Sequence, residues 1–271
     1  MIEPFVDGAW LQNGGSDAVL ADVRFYLDGR SGQEAYAQGH LPGAVYVELA
    51  DVLSEASLAP SAGRHPLPSP ERFARGLGEI GIGDGDTVIA YDDDGGLVAA
   101  RLVWLLRTIG HEAALLNGGL KAWNGAVETG PGVQRRTARF TPVQWPAESF
   151  AGIDEVAVTT ARLIDARDPA RFGGGPDPVD PRSGHIPGAL NVPARAQLGL
   201  DGRVGSAPEL RERFAAAAGI GPGTPVISYC GSGVTACFNL LAMERAGLGP
   251  GRLYVGSWSQ WSRDPARPVE T

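Results

Sequence analysis

Short apolar runs alternate with longer amphipathic segments along most of this sequence. Two of the runs, Val88–Tyr91 and Val226–Tyr229, are too short for helices and are typical of buried strands. Residues 97–109 and 234–246 carry apolar side chains at helical spacing, which predicts two helices. Strands that alternate with helices indicate parallel sheets covered on both faces, so the predicted fold class is α/β.

The sequence also contains an internal repeat. The run Gly-His-Leu-Pro-Gly-Ala at residues 39–44 returns as Gly-His-Ile-Pro-Gly-Ala at residues 184–189. Further segments that follow each copy are also similar to one another: residues 81–91 match 219–229, and residues 116–123 match 254–261. A repeat of this length indicates duplicated domains rather than a solenoid of small units.

The repeat sets the predicted domain division. We expect a first domain at residues 1–128 and a second at 151–271. Residues 129–150 between them are punctuated by glycine and proline and are predicted to be a linker. A chain of 271 residues has about the length that two domains need.

Composition and charge exclude several classes of protein. The net charge is −8, with 23 basic and 31 acidic residues, so no nucleic-acid partner is expected. No apolar run approaches the length of a transmembrane helix, and no membrane partner is expected. The first residues lack a basic segment followed by an apolar stretch, which predicts a cytoplasmic protein without a signal peptide.

Cysteine and histidine are scarce, which limits the possible chemistry. The two cysteines, Cys230 and Cys237, cannot staple a chain of this size or complete a four-ligand zinc site by themselves. No other cluster of ligand residues suggests a metal or a cofactor, so none is expected.

Cys230 is the candidate nucleophile. It follows the predicted strand Val226–Tyr229 and precedes the predicted helix, where ligands bind in open α/β sheets. Gly231 and Gly233 allow the backbone to curl so that amide groups point inward at an anion. A cysteine in such a place is expected to react as the thiolate. Cys237 lies two turns into the helix and is expected to be a core residue.

The repeat provides an internal comparison for this loop. When Tyr91 is aligned with Tyr229, Asp92 takes the position of Cys230. The first loop therefore has carboxylates and no thiol, so it cannot carry out sulfur chemistry and would repel an anion. We expect the first domain to be inactive and the second to be catalytic.

Together these features resemble the tandem-domain rhodanese-type sulfurtransferases, over nearly the whole chain. The resemblance implies two rhodanese-like domains, of which the second is active. Members similar to 3-mercaptopyruvate sulfurtransferase carry Cys-Gly-Ser-Gly-Val-Thr-Ala, the sequence found here at residues 230–236. Members that prefer thiosulfate carry basic residues after the cysteine. The uncharged loop favours a donor with one carboxylate, so 3-mercaptopyruvate is the expected donor and thiosulfate the alternative.

The resemblance also implies residues that bind the donor. Arg171 and Arg182 are expected to bind its carboxylate, because arginine suits bidentate contacts. The segment before Arg182 is shorter than in many relatives, which weakens that assignment. The expected substrate-binding residues of the loop are Gly231, Gly233, Val234 and Thr235.

The family resemblance also implies a proton relay. Ser232 is expected to pass a proton between the leaving group and a base, and a helix cap is its alternative role. The family's relay histidine corresponds to His65. The family's aspartate position falls on Ala50, so Asp51 or Glu48 substitutes, or the relay has no carboxylate.

Four further residues are expected to be structural. His40 and His185 occur in both copies of the repeat, including the copy expected to be inactive, so we assign them to the turns before the following prolines. Trp123 and Trp261 are expected to pack in the core.

The implied reaction is ping-pong. Cys230 takes a sulfur atom as a persulfide and passes it to a thiol, such as that of a thioredoxin-like protein, or to cyanide. A cysteine phosphatase is one rival, but it requires an arginine six residues after the cysteine, where this sequence has Ala236. A non-catalytic sulfur carrier is the other, although inactive members usually lack the cysteine.

Overall fold

The computed structural model describes residues 1–13, 17–55 and 59–271. The chain divides into two compact units. The first comprises Met1–Glu55, Leu67–Trp145 and Leu200–Val204. The second comprises Ala56–Pro66, Pro146–Gly199 and Gly205–Thr271, of which residues 56–58 are not described. Most of the predicted linker, residues 129–145, is therefore part of the first unit.

A parallel five-stranded sheet forms the centre of the first unit. Its elements are β1 (Phe5–Val6), α1 (Gly8–Gln12), β2 (Val19–Asp22), α2 (Gly32–Gln38), β3 (Val45–Tyr46), α3 (Leu49–Val52), α4 (Pro70–Glu79), β4 (Val88–Tyr91), α5 (Ala100–Thr108) and β5 (Ala113–Leu116). The strand order is β1-β5-β4-β2-β3. A 3-10 turn, Gly119–Ala122, follows β5.

The second unit repeats this plan with four parallel strands in the order β7-β6-β8-β9. Its elements are α6 (Ile153–Val156), β6 (Arg162–Asp165), α7 (Pro169–Phe172), β7 (Leu190–Asn191), α8 (Ala207–Ala218), β8 (Val226–Tyr229), α9 (Ala236–Arg245), β9 (Arg252–Leu253) and α10 (Ser257–Trp261). Further 3-10 turns lie at Pro60–Ala62, Ala147–Ser149 and Ala194–Gln197.

The predicted α/β class is confirmed. The two apolar runs expected to be buried strands are β4 and β8, and all residues of both are buried. A central parallel strand is covered on both faces, which explains why its sequence reads as a continuous apolar run. Among the described residues, no helix combines the length and apolarity that crossing a membrane requires.

The two predicted helices begin later than their apolar spacing suggested. α5 begins at Ala100 and α9 at Ala236, although the patterns started at residues 97 and 234. In the first unit, the amides of Val98 and Ala99 donate to the Asp92 carboxylate instead of starting the helix. The residues before each helix thus belong to the loop that curls beyond the strand.

The structural roles predicted for His40 and His185 are confirmed. Nδ1 of His40 lies 2.9 Å from the Tyr36 carbonyl oxygen, and its ring stacks on Tyr36 with centroids 3.9 Å apart. His185 makes the same two contacts with Phe172, at 2.9 Å and 3.7 Å. Each histidine therefore joins the turn of the repeated motif to the end of the preceding helix.

The residues assigned to packing lie in or against the cores. Trp261 and Cys237 are buried in the second unit. Trp123 is partly buried and packs against the core of the first unit. These positions agree with the roles predicted from the sequence.

Candidate active site

Cys230 lies in a tight loop between β8 and α9. It is 2% exposed, and its Sγ accepts a hydrogen bond from the Gly233 amide at 3.1 Å. Gly233 has a φ of 73°, and a Cβ there would lie 2.5 Å from the Val255 carbonyl oxygen, so glycine is required. An amide directed at the sulfur can stabilise a negative charge there.

The start of α10 holds this loop in place. The amide of Trp258 donates to the Cys230 carbonyl at 3.0 Å, and that of Ser259 donates to the Gly231 carbonyl at 2.8 Å. Both carbonyls are thus held by α10, which fixes the orientation of the peptide groups that follow Cys230 and Gly231.

Ser257 makes a further contact with the loop and adopts an unusual conformation to do so. Its Oγ accepts from the Cys230 amide at 3.2 Å and donates to the Tyr254 carbonyl at 2.8 Å. Its φ is 53°, the only positive φ of a non-glycine residue in the described part of the chain. Gly119 holds the matching place in the first unit, with a φ of 60°. Ser257 thus combines a hydrogen bond to the Cys230 backbone with local strain.

Ser232 and His65 are brought together as predicted. Nδ1 of His65 lies 2.9 Å from Oγ of Ser232, in a hydrogen bond whose donor depends on the ring tautomer. Both residues are buried, and Ser232 belongs to the Cys230 loop. A hydroxyl and an imidazole in contact can pass a proton between them.

The segment that carries His65 is anchored within the second unit. The Arg64 amide donates to Oγ of Ser259 at 2.9 Å. A Cβ on Gly63 would lie 2.9 Å from the Gly256 carbonyl oxygen, so the segment approaches the start of α10 closely. The loop and the histidine are therefore both positioned by α10.

The two carboxylates considered as partners of His65 make contacts in the first unit. Oε2 of Glu48 accepts from the Tyr46 hydroxyl at 2.9 Å. Asp51 is exposed, with an oxygen 4.0 Å from Nη2 of Arg72. The carboxylate member of the relay stays a prediction.

Arg171 lies beside the Cys230 loop and is held by two buried carboxylates. Its Nε and Nη2 donate to Asp177 at 3.0 and 2.8 Å, and Nη2 also donates to Asp180 at 3.1 Å. Burial disfavours ionised Asp177, but the Val179 amide and Arg171 outweigh it and hold the pKa of that carboxyl below its usual value. A Cβ built on Gly231 would lie 3.7 Å from both Nη atoms of Arg171.

Arg64 joins the same cluster and was not predicted from the sequence. Its Nη1 donates to Oδ1 of Asp180 at 2.7 Å. Its Nη2 would lie 3.1 Å from a Cβ on Gly231. Two guanidinium groups therefore lie over Gly231, and one buried carboxylate joins them.

Arg182 is held by main-chain carbonyls. Its Nε donates to the Ser262 carbonyl, its Nη1 to that of Arg267, and its Nη2 to those of Trp261 and Asp264, all at 2.6 to 3.0 Å. These hydrogen bonds fix the segment after α10. The contact of Arg182 with the donor stays a prediction.

In the first unit, the matching loop is filled by its own side chain. The Asp92 carboxylate accepts from the amides of Asp94, Gly96, Val98 and Ala99 at 2.7 to 2.9 Å. Burial raises the pKa of Asp92, and these four hydrogen bonds oppose the shift. The amides of this loop thus bind a carboxyl group of the same loop rather than a separate ligand.

Comparison with known proteins identifies the family. The Rhodanese-like domain matches residues 8–126 and again residues 151–264. The chain belongs to the rhodanese-like family. The predicted tandem rhodanese-type resemblance is confirmed, and the family's two domains correspond to the two repeats found in the sequence.

Three proteins show how this rhodanese-like chain relates to others. A probable 3-mercaptopyruvate sulfurtransferase of Pseudomonas aeruginosa is 39% identical over 94% of this chain and 93% of the relative. The putative thiosulfate sulfurtransferase SseB of Mycobacterium tuberculosis is 39% identical over 94% and 91%. The crystal structure of SseA, a 3-mercaptopyruvate sulfotransferase from Escherichia coli, matches with a TM-score of 0.82 and 33% identity over 95% and 99%. This rhodanese-like protein is a sulfurtransferase.

The residues that sequence reasoning missed are Arg64, Asp177, Asp180 and Ser257. One of them left a signal. The repeat aligns Ser257 with Gly119, and a serine in place of a glycine beside the reactive loop indicates a position that needs both a turn and a hydroxyl. The acidic pair and Arg64 had no such signal, because ion pairs between separated segments depend on the folded chain.

The strain at Ser257 can be tested by two substitutions that remove the same hydroxyl. Ser257→Ala leaves the buried Cys230 amide without its acceptor and retains the strain, so we expect unfolding free energy to fall by about 2 kcal/mol. Ser257→Gly loses the same hydrogen bonds but relieves the backbone, so its loss should be smaller by about 1 kcal/mol. Urea unfolding of the three proteins gives the order. Equal losses for alanine and glycine would contradict the strain.

Proposed function

We propose that this sulfurtransferase takes a sulfane sulfur from 3-mercaptopyruvate as a persulfide on Cys230 and passes it to a thiol or to cyanide. The observation that carries the proposal is the geometry at Sγ. The sulfur accepts a hydrogen bond from the Gly233 amide, and the Ser232–His65 pair belongs to the same loop region. The Cys230 sulfur, the amide that stabilises it and the Ser232 hydroxyl thus belong to one loop, and His65 contacts that hydroxyl.

The first half-reaction forms a sulfur–sulfur bond. The Cys230 thiolate attacks the donor's sulfur, and the donor's carbon–sulfur bond breaks. The electron pair of that bond leaves on the methylene carbon as the enolate of pyruvate. The proton of the donor thiol is released and one proton reaches the enolate carbon, so the products are pyruvate and the persulfide anion.

The proton transfer assigns a role to Ser232 and His65. An enolate is a poor leaving group unless it is protonated as it forms. A hydrogen-bonded hydroxyl and imidazole next to Cys230 supply a path for that proton. In the second half-reaction, the acceptor attacks the outer sulfur and Cys230 leaves as the thiolate.

The loop chemistry favours 3-mercaptopyruvate over thiosulfate. Gly231 and Ser232 bring no charge of their own to the loop. Arg64 and Arg171 do lie over Gly231, which keeps thiosulfate as the second candidate donor. Both guanidinium groups are paired with buried carboxylates, so the site offers less net positive charge than a dianion would gain from.

We further propose that the first domain carries out no sulfur transfer. Asp92 stands where the second domain has its cysteine, and its carboxylate already occupies the amides of the loop. The first loop therefore has no nucleophile, and the amides that donate to Asp92 are not free to bind another anion. The thiol acceptor, such as a thioredoxin-like protein, and the cytoplasmic location stay predictions from the sequence.

Cys230→Ser tests the nucleophile. We expect sulfur transfer from 3-mercaptopyruvate to cyanide to fall to the assay background, because serine cannot form a persulfide. Cys237→Ser is the matched control, since Cys237 is the second cysteine and is buried in α9. Circular dichroism shows that each variant folds. Residual turnover of folded Cys230→Ser, or loss of turnover in folded Cys237→Ser, would contradict the assignment.

Ser232→Ala tests the proton path by comparing two donors. With 3-mercaptopyruvate we expect kcat/KM to fall about 100-fold, the usual worth of a general acid or base. With thiosulfate the loss should be much smaller, because sulfite leaves without a proton on carbon. Ser206→Ala, on the exposed N-terminus of α8, is the control. Equal losses with both donors would instead indicate that Ser232 only shapes the loop.

A further inference from the structure

Ser259 joins two segments that are far apart in the sequence. It lies in α10 and is fully buried. Its amide donates to the Gly231 carbonyl at 2.8 Å, and its Oγ accepts from the Arg64 amide at 2.9 Å. Gly231 directly precedes Ser232, and Arg64 directly precedes His65. One residue thus holds the main chain beside each member of the Ser232–His65 pair.

The contact between Ser259 and the segment of Arg64 depends on a close approach of two backbones. The Ser259 hydroxyl donates to the Gly256 carbonyl at 3.0 Å, so its oxygen is turned to accept the Arg64 amide. Gly63 has a φ of 97°, and a Cβ there would lie 2.9 Å from the Gly256 carbonyl oxygen and 3.2 Å from Oγ of Ser259. A larger residue at position 63 would push the segment away from α10.

The repeat shows that the fold does not require a hydroxyl at this position. The matched segments 116–123 and 254–261 place Lys121 where the second unit has Ser259. Lys121 is exposed, although the neighbouring main-chain contact to the loop is the same in both units. The hydroxyl therefore belongs to the unit that contains Cys230, which indicates a role in that site.

The separation that Ser259 controls is the one between His65 and Ser232. Nδ1 of His65 lies 2.9 Å from Oγ of Ser232, which is the length of a direct hydrogen bond. A proton passes between them only while this contact is kept, and a displacement of about 1 Å can lower a rate about 100-fold. A residue that holds the neighbours of both therefore acts on the proton path from outside it.

We propose that Ser259 is a positioning residue for the proton path, and that its hydroxyl keeps His65 within hydrogen-bond distance of Ser232. The inference rests on the proposed function for the step that it serves, the protonation of the pyruvate enolate. Ser259 acts through the main chain of the segment at residues 59–66 and exchanges no proton with the donor.

Ser259→Ala tests the hydroxyl, because it keeps the main-chain amide that holds the Gly231 carbonyl. We expect the single-turnover rate at saturating 3-mercaptopyruvate to fall about 10-fold, since the proton path is displaced. The half-saturating concentration should change less than about twofold, because the Arg64 guanidinium keeps its contact with Asp180. With thiosulfate the rate should change less than about twofold, since sulfite leaves without a proton on carbon.

Ser262→Ala is the matched control. Ser262 is also buried, and its Oγ has no hydrogen-bond partner among the described residues, so its removal should leave both rates unchanged. The nitrogen chemical shifts of the His65 imidazole give a readout without any donor, since they report the hydrogen bond at Nδ1. They should change in Ser259→Ala and stay as in the wild type in Ser262→Ala.

The combination of Ser259→Ala with Ser232→Ala shows whether the two residues act in one path. If Ser259 acts through the His65–Ser232 contact, the double variant is no slower with 3-mercaptopyruvate than Ser232→Ala alone. Losses that multiply would overturn the inference. So would equal losses with both donors, or unchanged imidazole shifts, in folded Ser259→Ala. If Ser259→Ala does not fold, Gly63→Ala decides, because it displaces the same segment and should cause the same donor-selective loss.

The proposed function fails on a different result. A wild type that takes no sulfur from 3-mercaptopyruvate would refute the proposed donor. The imidazole shifts would still show whether Ser259 positions His65.

Discussion

Two main-chain hydrogen bonds fix the orientation of the loop that contains Cys230. The amides of Trp258 and Ser259 donate to the carbonyls of Cys230 and Gly231. Without them the peptide groups after β8 could rotate, and the Gly233 amide would not be held against the sulfur. The same interaction occurs in the first unit, where the Leu120 amide donates to the Asp92 carbonyl at 2.8 Å. The arrangement therefore belongs to the fold, and the side chain that fills it decides the chemistry.

The comparison of the two loops shows what that side chain changes. The carboxyl group of Asp92 accepts hydrogen bonds from four amides and completes its own loop. Cys230 supplies instead a polarisable sulfur, which under the proposed function takes up and releases another sulfur atom. The same loop thus contains a carboxyl group in the first unit and, under the proposed function, a nucleophile in the second.

The sequence allowed much of the fold and part of the site to be predicted. The short apolar strands and the repeat are local or periodic features, and they identified the sheets, the two halves and the Cys230 loop. His65 came from the family resemblance and lies against Ser232 in the structure. These features could be found because each is carried by a short, continuous stretch of residues.

The arginines could not be ranked in this way. An arginine reveals its role only through the acceptors around it, and those come from distant segments. Arg182 is engaged by carbonyls of residues 261–267, whereas Arg64 meets Asp180 and Gly231. The sequence could show that arginines precede the repeated motif. Which guanidinium group lies over Gly231 is a property of the tertiary structure.

Mass spectrometry of the intact protein and its peptides, after incubation with 3-mercaptopyruvate in the absence of an acceptor, detects the sulfur that Cys230 is proposed to carry. We expect a mass increase of one sulfur atom, confined to the peptide that contains Cys230 and removed by cyanide. A protein that gains no sulfur, or that carries it on Cys237, would contradict the central claim that the loop around Cys230 is built to hold a persulfide.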